Sequence, residues 1–156
     1  MAIDIAIPAF PDGGAIPAKH TCSGDNLSPL IRWEGEPKHT VTFVLVMEDV
    51  DAADGPFTHW LIYNIPGDCH ELEEIIPIEH HLENGAIQGK NDSGKYGYFG
   101  PCPPKGKEHK YVITIYALKK KLKPESANKK EDLMNIMKDY VIDKGEYAGY
   151  YHRKKG

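Results

Sequence analysis

Asp49, His59, His109 and Tyr111 are the residues of this 156-residue chain whose types suit one shared site. Two imidazoles and a phenol supply N–H and O–H donors for a small, partly dehydrated anion. A single carboxylate beside them fixes imidazole tautomers, or meets the ammonium end of a zwitterionic ligand. No Arg or Lys shares their parity, so an anion would be held by hydrogen bonds more than by fixed charge, and modest affinity is expected. Two His and one Asp are also permitted zinc ligands. Neither an HExxH spacing nor a cysteine pair supports that alternative, so neither metal nor cofactor is expected. Covalent chemistry lacks a carrier as well. There is no Ser in a G-x-S-x-G turn, and Cys102, between Pro101 and Pro103, is better read as packing than as a nucleophile. A non-catalytic binding protein is the expectation.

Three β-branched and aromatic segments must position these groups: Thr40–Glu48, Thr58–Ile65 and His109–Lys119. Alternation puts Val41, Phe43, Leu45 and Met47 on one face, with Asp49 continuing the row. It groups His59 with Leu61, Tyr63 and Ile65, and His109 and Tyr111 with Ile113, Ile115 and Ala117. If the first two strands are antiparallel, Asp49 and His59 reach the same end. A third strand running parallel to the second brings His109 there too.

Weaker strand signals cover Ile3–Ile7, Ile31–Trp33 and Tyr147–His152. One helix is expected, capped by Asn128 with Glu131 three residues on, and with Leu133, Ile136, Met137 and Tyr140 on one face. Gly145 lies beyond its end. Two long loops remain, Asp49–Phe57 and the Gly/Pro-rich Gly85–Glu108. Many strands and one late helix predict a mainly β chain, an antiparallel sandwich in a single domain, residues 1–156. His80 and His81 sit beside Glu79 and Glu83 and read as surface. His20, His39, His70 and His152 are isolated and read as structural or solvated.

Composition sets outer bounds. With 40% hydrophobic and 27% charged residues and a net charge of −4, the chain is unlike a basic nucleic-acid-binding domain. Lys119–Lys123 and Arg153–Lys155 read as solvated ends. The longest apolar run, Val41–Met47, is too short to span a bilayer, and the N-terminus does not read as a signal peptide. Three cysteines, Cys22, Cys69 and Cys102, without CxxC spacing argue against a disulfide framework and suit a reducing compartment, so a cytoplasmic location is expected.

The segment Glu48–Ile65, EDVDAADGPFTHWLIYNI, resembles the first signature of the phosphatidylethanolamine-binding protein family, in which an Asp-Pro-Asp-Ala-Pro segment precedes a His-bearing strand. Tyr98–Tyr111, YFGPCPPKGKEHKY, resembles its second signature, and Ile16–Trp33 and Asn84–Asp92 are similar to its bacterial and archaeal branch (Raf kinase inhibitor-like proteins). The resemblance implies a Greek-key β-sandwich with a pocket for phosphate, a phosphorylated small molecule or a phospholipid head group. By position it assigns Asp49, His59, His109 and Tyr111 to that pocket. Asp51 matches the second acid, and Cys102–Pro103 the loop beside it. It also implies modulation of kinases or other signalling proteins, with protease or kinase inhibition through surface loops as the alternative. Val50 and Ala53 replace the two prolines, which predicts a more mobile or differently bent loop around Asp49. Lys110 replaces the usual Arg and points away from the pocket. Without the covering terminal helix of animal members, the pocket should be more open, or controlled by a partner subunit in a homodimer.

Overall fold

The computed structural model describes residues 3–155, so both ends of the expected 1–156 domain lie outside the described residues. Nine strands and one α-helix follow in order: β1 (Asp4–Ala6), β2 (Gly14–Ala15), β3 (Ile31–Glu34), β4 (Thr42–Asp49), β5 (Phe57–Pro66), β6 (Glu71–Leu72), β7 (Ile87–Gln88), β8 (Glu108–Leu118), α1 (Lys130–Met137) and β9 (Val141–His152). Strands β1, β3 and β6 form a small sheet, and the large sheet runs β2-β9-β8-β4-β5-β7. The long connection from β5 to β8 returns the chain to the far side of β4, a Greek-key crossing. Pairing is antiparallel except that β2 joins β9 in parallel.

Phe43, Val44, Leu45, Val46 and Met47 are all buried, which requires cover on both faces of β4. On one face Phe43, Leu45, Met47, Trp60, Ile62, Ile113 and Ile115 pack toward Ile31, Trp33 and Leu72 of the small sheet. On the other, Val44, Val46, Leu61 and Tyr63 pack with Leu122, Ala127, Leu133 and Met137. Each large apolar side chain so buried contributes about 1.5–3 kcal/mol relative to exposure. Val41, expected in the core row, is outside β4 and 47% exposed.

Strict alternation fails along β5. Met47 pairs with Trp60 and Glu48 with Thr58, so one step on β4 answers two on β5. This bulge after His59 sends Trp60 and Ile62 to the small-sheet side, while Leu61 and Tyr63 face the helix side. A second irregularity, between Phe43↔Ile65 and Leu45↔Ile62, coincides with Asn64 at φ 58° and returns Ile65 to the small-sheet core. Asn64 is buried there and exchanges hydrogen bonds with the backbone N–H and carbonyl of Leu122. The expected grouping of His59 with Leu61 and Tyr63 is therefore corrected. The β8 row of Tyr111, Ile113, Ile115 and Ala117 holds.

The helix begins later than expected. Lys129 is its N-terminal cap, without a side-chain hydrogen bond, and Asn128 instead accepts a hydrogen bond from the Tyr96 hydroxyl. Leu133 and Met137 are the buried helical residues, and Tyr140 follows the helix. Gly145 lies within β9, where an added Cβ would meet the Ile3 carbonyl oxygen at 1.9 Å.

Candidate anion-binding site

Asp49 ends β4, directly opposite Phe57 of β5 and Tyr111 of β8. Both neighbours are antiparallel to β4, so they run parallel to each other and deliver His59 and His109 to the same sheet end. The expected convergence is present, with β4 between the two histidine strands. His59 and Tyr111 rings meet edge-on with centroids 5.4 Å apart.

The hydrogen bonds fix which imidazole atoms remain for a ligand. His109 Nδ1–H donates to Asp49 Oδ2 across 2.7 Å. His59 Nδ1–H donates to the Phe99 carbonyl, and its ring stacks on Phe99 with 3° between planes. A carboxylate and a carbonyl only accept, so both Nδ1 atoms carry the proton. Neither Nε2 has a hydrogen bond among the described residues. Burial lowers the His59 pKa, with the Phe99 carbonyl and the Asp49 charge opposing, so near neutral pH its Nε2 is an acceptor. Tyr111 is 1% exposed, and its hydroxyl finds no hydrogen bond of acceptable geometry. Burial, with the nearby Asp49 carboxylate, raises its pKa well above that of a free phenol, so it stays a donor.

A cavity of about 490 Å³ opens here, lined by Asp49, Asp51, His59, Cys102, Pro103 and His109 from the sequence-derived set. Tyr111 stands behind His59 and is not among the lining residues. Phe57, Phe99, Ala52, Ala53 and Pro104 also line it, and so does Lys107. Lys107 corrects the expectation that no cation is near. It comes from the loop before β8, where alternation carries no information.

The loop after Asp49 is tied down without its prolines. Asp51 N–H donates to Asp49 Oδ1, Lys110 N–H to Asp51 Oδ2, and Val50 N–H to the Lys110 carbonyl. A proline at position 50 has no N–H to donate, so Val50 adds a cross-strand bond that the family pattern lacks.

Cys102 corrects a second expectation. It forms a disulfide with Cys22 across 80 residues, leaving Cys69 as the free thiol. An odd count without CxxC spacing says nothing about pairs that only the fold brings together, and the inference of a reducing compartment loses its support. The bridge joins the pocket loop to the segment around the short 3-10 turn Ala18–His20. The Cys22 N–H donates to the Pro101 carbonyl, Tyr98 OH to the His20 carbonyl, and Gly100 N–H to Asn26 Oδ1.

This mainly β architecture, with a pocket at one sheet end, defines the class. The family model of phosphatidylethanolamine-binding protein matches residues 6–152. A UPF0098 protein of Methanothermobacter thermautotrophicus is 43% identical over 145 residues, covering 93% of this chain and 95% of that protein. A phosphatidylethanolamine-binding protein homolog from Chlamydia trachomatis superposes with a TM-score of 0.88 at 33% identity, covering 97% of this chain and 98% of that one. Escherichia coli YbcL, described as a member of the mammalian PEBP family, gives 0.89 at 29% identity over 99% of this chain and 100% of that one. The chain belongs to the phosphatidylethanolamine-binding protein family. Among the described residues, no helix is long and apolar enough to cross a membrane.

Proposed function

We propose that this protein binds a phosphate-like anion, free or as the head of a phosphomonoester or phospholipid, in the cavity of Asp49, His59 and His109, without covalent chemistry. One observation carries the reading: both imidazoles have Nδ1 engaged with protein acceptors, which leaves both Nε2 atoms for a ligand. The unpartnered Tyr111 hydroxyl behind them and Lys107 at the wall add positive potential and donors.

The charges narrow the ligand. Asp49 and Asp51 in the wall oppose a fully ionised phosphate, and a neutral His59 accepts a proton from the ligand rather than donating one. A monoprotonated phosphoryl group satisfies both conditions, since its P–OH donates to His59 Nε2 and its remaining oxygens accept. The apolar rings of Phe57 and Phe99 exclude water around it.

The test is an imidazole NMR titration with inorganic phosphate and a simple phosphomonoester. His59 and His109 signals are expected to move together, saturably, in the millimolar range. Static signals for both rings at tens of millimolar phosphate reject the reading.

A further inference from the structure

A second cluster of imidazoles stands outside the pocket. His80 Nε2 lies 2.8 and 3.0 Å from the two carboxylate oxygens of Glu125, and His81 Nε2 lies 2.8 Å from Oε1 of the same group. The three ligand-capable atoms fall within 4.8 Å of one another. The geometry points to a binding site for a single divalent transition-metal ion of the zinc type, held by His80 Nε2, His81 Nε2 and the Glu125 carboxylate.

The first reason is the bonding of His80. Its Nδ1 lies 2.8 Å from the Gln88 carbonyl oxygen, which only accepts, so Nδ1 carries a proton. In a neutral ring this leaves a lone pair on Nε2 aimed at carboxylate lone pairs. A second proton or a metal ion is what relieves that opposition. A backbone carbonyl on Nδ1 with Nε2 free is also how metal-bound histidines are oriented.

The second reason is that the surroundings hold the three groups in place. Gln88 is fully buried. Its Nε2 donates to the carbonyls of Pro77 and Glu79, its Oε1 accepts from Trp60 Nε1, and its N–H donates to the His80 carbonyl. The turn presenting His80 and His81 is thereby anchored to the core. Tyr96 packs against His80 with centroids 4.2 Å apart. On the other side Glu125 sits at φ 65°, a left-handed conformation costly for a non-glycine residue, and its N–H donates to Tyr63 OH.

The third reason is chemical fit. Two imidazoles and a carboxylate leave a fourth tetrahedral position for water or an external ligand. Zn–N bonds of about 2.0–2.1 Å place two nitrogens about 3.3 Å apart. The His81 and Glu125 side chains are 61% and 55% exposed, so both are free to close on an ion. His81 also lines a hollow rimmed by Glu71, Glu73, Glu79 and Glu83, which draws cations toward it.

The experiment is calorimetric titration of the chelator-stripped full chain with Zn²⁺, in a Cys69→Ser background to remove the free thiol. Co²⁺ absorption provides a second readout of coordination. Wild type is expected to bind one ion per chain, with affinity falling at least ten-fold in both His81→Ala and Glu125→Gln and unchanged in His59→Ala. Both substituted side chains are exposed, and a matching melting temperature without metal verifies that the fold is intact. Absence of saturable binding, equal affinity in the two variants and wild type, or loss of binding in His59→Ala instead overturns the assignment.

Discussion

Asp49 Oδ2 and His109 Nδ1 lie 2.7 Å apart across the β4–β8 ladder, with only 6% and 13% of their side chains exposed. The pair sets which way the His109 ring faces, and so where its Nε2 stands in the cavity. Asp49→Ala leaves the ring without that acceptor and unfastens the Asp51 N–H as well. A hydrogen bond to a charged group contributes about 1.5–3 kcal/mol. Phosphate affinity is therefore expected to fall about ten-fold or more. Calorimetry on the variant checks this, and an unchanged dissociation constant contradicts the positioning role.

His59 makes stability depend on pH. Burial lowers its folded-state pKa below the unfolded value of about 6.5, so on acidification the unfolded chain takes up this proton first. The contribution is present above about pH 6.5 and is lost as pH falls from there toward the folded pKa. His59→Asn keeps an amide donor for the Phe99 carbonyl but cannot titrate. Its melting temperature between pH 7 and pH 5 is expected to decline less steeply than that of wild type. Parallel curves would show that the ring does not titrate differently on unfolding.

The Cys22–Cys102 bridge closes a loop across 80 residues. Chain entropy assigns such a closure about 4 kcal/mol, acting on the unfolded state. Urea unfolding of a Cys22→Ser, Cys102→Ser variant is expected to show a lower midpoint. The same variant should bind phosphate more weakly, because Cys102 lines the cavity. A midpoint equal to that of the oxidised wild type contradicts this prediction.

Gly100 lies where the pocket loop crosses the His20 segment. A Cβ there would meet the His20 carbonyl oxygen at 2.2 Å and Asn26 Oδ1 at 2.4 Å. The first is backbone and cannot step aside alone, so Gly100→Ala is expected to cost about 1–3 kcal/mol through forced displacement. Chemical denaturation measures it, and a variant as stable as wild type places the contact elsewhere.

Much of the site was legible because β4 and β8 are regular. From Asp49 back to Phe43, and from Tyr111 forward to Ala117, apolar alternation alone sorts the faces correctly. His59 lies on the expected face because the bulge comes after it. The family signatures located Asp51, Cys102 and Pro103 in loops where periodicity is silent, and the cavity includes all three. Lys107 was missed because it lies in that Gly/Pro loop, with no period to follow.

The local pattern of hydrophobic and β-branched residues determined that this chain is mainly β, with one late helix and an acid–imidazole–phenol group at a strand end. Those features depend on neighbours within a few residues, and the sequence states them directly. The Cys22–Cys102 bridge, the bulge that reverses Leu61 and Tyr63, and the meeting of His80 and His81 with Glu125 depend on contacts across tens of residues. Only tertiary packing decides them, because the energy that selects each partner is available only after the sheets have closed on their cores.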